Sequence, residues 1–67
     1  MVELTVNGVP RTIVDSMLLT EFLESFGLNA RMVVVEYNRE IMPRDRYAEI
    51  RLQTGDELEI VQMMAGG

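Results

Sequence analysis

The last two residues of the chain, Gly66 and Gly67, carry the least hindered reactive group that the sequence offers, the terminal carboxylate. Glycine has no β-carbon to obstruct approach, so a Gly-Gly end can enter a channel too narrow for any other residue. Ordering it costs entropy, because an unpacked end moves freely until something binds it. Fully extended, Met64 to Gly67 reach roughly 13 Å past a last packed strand. A carboxylate resists nucleophiles, since its charge repels them and oxide is a poor leaving group. A carboxylate on such an arm could, however, enter another protein's active site. On the tail residues alone, a frayed terminus that happens to be glycine-rich is the competing reading.

The remaining composition excludes most other chemistry. Sixty-seven residues make one domain near the lower size limit for an unstapled core, burying roughly 60% of its unfolded surface. With no cysteine and no histidine, the chain lacks a disulfide, a thiol nucleophile and the commonest general base. We expect no catalytic residue, no cofactor site and no phosphate loop. The eleven acidic residues are scattered without calcium-loop spacing, so no metal site is expected. A net charge of −5 and a pI near 4.4 argue against nucleic acid and for partners with basic docking faces. All six basic residues are arginine. The only primary amine is thus at the N-terminus, and an activated C-terminal acyl group would meet no side-chain amine. Replacement of lysine by arginine through genome composition accounts for the same count. No apolar run approaches the roughly 20 residues of a membrane span and no leader pattern opens the chain, so a cytoplasmic protein without membrane contact is expected.

The elements that must position the tail follow from hydrophobic period. Val2, Leu4 and Val6 alternate with Glu3, Thr5 and Asn7, a strand with one wet face. Asn7-Gly8 suits a tight hairpin, so Val9 to Val14 should return antiparallel, and Pro10 puts that strand at a sheet edge. Leu19, Phe22, Leu23 and Phe26 then mark an amphipathic helix of about three turns whose stripe is core. Asp15 or Ser16 can cap it, and Gly27 ends it with Leu28 folding back on Leu23. The run Met32 to Val35 reads as a central strand buried on both faces. Asn38-Arg39 turns the chain, Ile41 to Arg44 is a short extended piece, and Asp45 to Ala48 is a turn or helical loop. Ile50 to Leu52 then leads to the turn Thr54-Gly55-Asp56. Glu57 to Met63 is the final strand. The order is ββαββ: an α+β grasp in which first and last strands pair in parallel and the helix crosses one face of a mixed sheet.

These elements carry a resemblance. Val33-Val34-Val35-Glu36-Tyr37-Asn38, Ile41-Met42-Pro43-Arg44, Tyr47-Ala48, Gly55 to Gln62 and Ala65-Gly66-Gly67, in that order and spacing, resemble the ThiS family, the ubiquitin-like sulfur carriers of thiamine biosynthesis, over essentially the whole chain. The resemblance implies a ubiquitin-like β-grasp domain over residues 1–63, with four to five strands around one helix, and a flexible Gly-Gly tail over residues 64–67. It implies a carrier, not an enzyme: an E1-like, ThiF-like adenylyltransferase uses ATP and magnesium to adenylate Gly67, and a persulfide donor such as a cysteine desulfurase displaces AMP. The resulting thiocarboxylate would supply sulfur to a ThiG-like thiazole synthase. Gly66 and Ala65 would give the slim approach. The carrier would be a monomer when free and would bind no cofactor itself. Leu18, where a Ser or Thr cap is common, and Arg39, where a turn glycine is common, depart from the family pattern.

Docking should use the surface beside the tail. Met64 and Met63 are adaptable apolar contacts, although Met63 could instead face the core by alternation with Val61. Glu57 and Glu59, read as lying on the opposite phase from Val61, could meet a basic partner or simply be solvated. Arg44, Arg46 and Tyr47 could form a second patch or serve the loop. The rival identities are the small subunit of molybdopterin synthase, with the same chemistry and another acceptor, a ubiquitin-like modifier that conjugates to lysines, and a passive interaction module.

Overall fold

A computed structural model describes residues 1–63. Strand β1 (Val2–Val6) turns at Asn7-Gly8 and pairs antiparallel with β2 (Val9–Ile13), as the alternation and the Asn-Gly step require. Both turn residues take positive φ, +50° and +79°, the pattern that matches strand twist in a two-residue hairpin. Three further strands follow helix α1 (Leu19–Ser25): β3 (Val33–Tyr37), β4 (Glu40–Ile41) and β5 (Glu57–Gln62). The sheet order is β2-β1-β5-β3-β4, with β1 and β5 parallel and every other pair antiparallel. This is the expected mixed grasp, with Pro10 on an edge strand, but it has five strands where the order ββαββ counts four, because Glu40–Ile41 pairs with β3 as a strand of its own.

The helix lies across one face of the sheet. Leu4 and Val6 of β1, Val33 and Val35 of β3 and Leu58 of β5 are buried against Leu19, Phe22 and Leu23 of α1, and Leu52 and Tyr47 close the core. Alternate residues of the strands point away from this layer, so one sheet face is wet.

Several sequence expectations need correction. The helix has seven residues, two turns and not three. It stops because Gly27 at φ +72° forms a Schellman motif: Gly27 N–H donates to Glu24 O at 2.9 Å and Leu28 N–H to Leu23 O at 3.0 Å. Its N-cap is Leu18, not Asp15 or Ser16. Leu18 N–H donates to Glu21 Oε1 at 2.8 Å and Leu19 N–H to Ile50 O at 2.8 Å, while Ser16 Oγ is spent on Leu52 O. Phe26 is not core. It is 44% exposed at the helix end, set edge-on to Phe22 with the Arg11 guanidinium 5.0 Å above its ring. Strand β3 is interior to the sheet but buried on one face only, with Val34 38% exposed.

Candidate functional site

Where β5 ends decides where the tail begins, and two turn asparagines hold β5 from opposite sides. Asn7 Nδ2 donates to Ile60 O at 3.2 Å, its Oδ1 accepts from Ile60 N–H at 2.7 Å, and its own N–H donates to Leu58 O. On the other flank Asn38 Oδ1 accepts from Glu57 N–H at 2.8 Å, and Asn38 N–H donates to Glu57 O at 2.8 Å. Both asparagines sit at φ +50°, a conformation their short polar side chains tolerate.

Asp56 anchors the start of the strand. Its carboxylate accepts from Tyr37 Oη and Gln53 N–H at 2.8 Å each, and from Asn38 Nδ2 at 3.2 Å. Burial, then the hydrogen bond to Asp56 and the charge of its carboxylate, push the Tyr37 phenol up to about 12. At the far end Met63 N–H donates to Met32 O at 2.7 Å, so the last described residue is still tied to the sheet. The sites assigned to Met64, Ala65, Gly66 and Gly67 lie outside the described residues.

The wet face of the sheet at this end is apolar and acidic together. Val34 is in register with Val61, and both are exposed; Met63, 39% exposed, continues the patch and does not enter the core. Next along, Glu36 stands directly opposite Glu59, a like-charge pair that opposes strand pairing. Glu57 and Glu59 are exposed as expected, but on the same side as Val61, not the opposite one. Odd-numbered positions of a strand share a face, and that count joins the glutamates and Val61 into one surface. Reading Met32 to Val35 as buried on both faces hides Val34, and setting Glu57 and Glu59 on the opposite phase hides their link to Val61 and, through Glu59, to Glu36.

The three residues of the second suggested patch each have a partner within the chain, and Tyr47 is not at the surface. Tyr47 is buried, and its hydroxyl accepts from Val35 N–H and donates to Val33 O, both at 3.2 Å. It completes the edge of β3 where the two-residue β4 is too short. Arg44 Nη2 donates to Arg31 O at 3.0 Å, and Arg46 pairs with Glu49 at 3.5 Å with both side chains exposed. Among the described residues no group of three or more His, Cys, Asp or Glu could hold a metal ion, and no helix is long and apolar enough to cross a membrane. Among the described residues, the groove beside β5 is lined by Val6, Asn7, Arg11, Phe26, Leu28, Ile60 and Gln62, with no carboxylate, and the arrangement has a different character. It offers a firmly held strand end beside an apolar, acidic face.

A model of the ThiS family matches residues 4–67. The chain is similar to the sulfur carrier protein ThiS of Bacillus subtilis, with 38% identity over 53 residues covering 79% of this chain and 80% of that protein. It is 40% identical over 65 residues to a thiazole synthase of Paramagnetospirillum magneticum, covering 97% of this chain but only 20% of the synthase. The chain therefore spans about a fifth of the length of that relative. The crystal structure of a thiamine biosynthesis protein (ThiS) from Geobacter metallireducens superposes with a TM-score of 0.81 at 35% identity, covering 97% of this chain and 99% of that one.

Proposed function

The chain belongs to the ThiS family, the sulfur carriers of thiamine biosynthesis, and on that premise we propose that Gly67 is the atom-bearing residue of the carrier. Its carboxylate attacks the α-phosphorus of ATP held with magnesium by a ThiF-like adenylyltransferase, releasing pyrophosphate. The acyl-adenylate so formed is attacked by the outer sulfur of a persulfide, AMP leaves, and a second thiol attacks the donor's inner sulfur, forming a disulfide with it and releasing the thiocarboxylate. The carrier is the co-substrate in these steps, and the catalytic groups belong to its partners.

The observation that carries this reading is the tether of Met63 to Met32, with Ala65-Gly66-Gly67 following it in sequence. A firm base and a tail without bulky side chains let docking energy position the reacting carbon in a partner's site. Val34, Val61 and Met63 supply apolar contact area, Met64 follows them in sequence, and Glu36, Glu57 and Glu59 favour a partner face lined with basic side chains. A thiazole synthase is the proposed acceptor, supported by the synthase that contains a stretch similar to this chain. We place the protein in the cytoplasm, where ATP and the thiol pool supply both steps.

The test is intact-protein mass spectrometry after incubation with a ThiF-like enzyme, ATP, magnesium and a persulfide source. The expected product has one oxygen replaced by sulfur, mapped to Gly67, and a chain lacking Gly66-Gly67 gains nothing. An unmodified native chain alongside a second carrier that the same enzyme loads would reject the reading.

A further inference from the structure

Strands β1 and β5 run parallel with Thr5 beside Glu57. Met1 lies four residues before that level and Met63 six residues after it, so about 33 Å of sheet separates them at the usual rise per residue. The four residues beyond Met63 span roughly 13 Å. The α-amine of Met1 is the only primary amine in the sequence, because all six basic side chains are arginine. Parallel pairing therefore carries that one amine out of reach of the tail.

The cations that do stand near the end of β5 are guanidinium groups. Arg31 adjoins Met32, whose carbonyl accepts from Met63 N–H, and Arg44 Nη2 donates to Arg31 O at 3.0 Å. On the helix side Arg11 lines one shallow groove with Ile60 and Gln62.

We infer that the chain's own body is inert toward its activated terminus, with Arg11, Arg31 and Arg44 placing positive charge near the end of β5 in a form that cannot be acylated. This rests on the carrier reading above. A guanidinium stays protonated and its lone pairs are delocalised, whereas a lysine ammonium at the same place is in equilibrium with a nucleophilic amine. In the reaction avoided, that neutral amine attacks the Gly67 carbonyl carbon and a carbon–nitrogen bond forms. The bond from that carbon to the AMP oxygen breaks, its electron pair leaves with AMP, and the extra proton on nitrogen passes to solvent. The amide is a dead end, since a carrier closed on itself has no terminus left to load. A tethered amine would act at a local concentration on the order of millimolar.

The experiment uses the full chain prepared as a C-terminal thioester, dilute and at mildly alkaline pH, and compares native protein with Arg31→Lys, Arg44→Lys and Arg39→Lys. Arg39 follows Asn38, which pairs with Glu57 at the opposite end of β5 from Met63, so it is the out-of-reach control. Native and Arg39→Lys chains should lose the thioester only by hydrolysis. At least one of Arg31→Lys and Arg44→Lys should form an internal amide, lighter than the free acid by one water and mapped to the new lysine. Thioester loss in that variant should be faster by on the order of tenfold. Hydrolysis at the native rate in both variants, or an amide at Met1 in the native chain, would overturn the inference. Because the thioester replaces enzymatic activation, these outcomes are independent of whether a ThiF-like enzyme loads the chain with sulfur.

Discussion

The carboxamide of Asn7 and the backbone of Ile60 form a two-way hydrogen-bonded pair, 3.2 Å from Nδ2 to the carbonyl and 2.7 Å from the amide to Oδ1. β1 contributes only Thr5 and Val6 to its register with β5. The side chain of Asn7 thus serves as one further rung, two residues closer to the tail.

Asn7→Gly keeps the positive φ and removes both side-chain bonds. It should lower stability by about 1–2 kcal/mol, read from urea denaturation, with faster hydrogen exchange at Ile60 and Val61. Unchanged exchange there would remove Asn7 as the support of the tail's base.

Glu59→Gln relieves the repulsion from Glu36 across the strands. The variant should be more stable by about 0.2–1 kcal/mol in a thermal melt, while binding a ThiF-like partner more weakly in titration calorimetry. A loss of both stability and affinity would make Glu59 a structural residue.

Tyr37 makes stability fall at alkaline pH. Its phenol ionises near 10 in an unfolded chain and at about 12 in the fold. Below the lower value both states keep the proton and the contribution is intact. Between the two the unfolded chain releases its proton first, so stability declines as pH rises through that window. Urea midpoints across that window should fall in the native protein and less steeply in Tyr37→Phe. Asp56→Asn should move the phenol's absorbance titration downward.

Arg39 holds φ +73° in the turn between β3 and β4, which a side chain with a β-carbon adopts at a cost. Arg39→Gly should stabilise the fold by about 0.5–1 kcal/mol in the same melts. A loss would mean that the Arg39 side chain makes compensating contacts.

The frame of this fold is legible in period and punctuation: alternation in β1, Asn7-Gly8, the Leu-Phe stripe of α1, and Gly27 with Leu28. Local rules decide these features. Tyr47 is different, because its hydroxyl serves two backbone groups of β3 twelve and fourteen residues away, and nothing near Tyr47 in sequence reports that edge. The same holds for the second role of Asn7 and Asn38, each legible as a turn but not as a brace for β5. The apolar, acidic face turns on phase alone: counting Glu57, Glu59 and Val61 by twos joins them. Ser16 misled because a capping residue type stood where tertiary contact with Leu52 claimed the hydroxyl.

The place of β5 in the sheet also bears on how the chain matures. The hairpin β1-β2 and the hairpin β3-β4 share no ladder with each other, and β5 joins them. Its pairing with β1 closes a loop of some fifty residues, a contact whose entropy must be met late in folding. A nascent or prematurely truncated chain that ends before Glu57 therefore has two separate hairpins and no bridge between them. Completion of the sheet and completion of the apolar, acidic face become one event, because Glu57, Glu59 and Val61 all belong to the strand that bridges the hairpins.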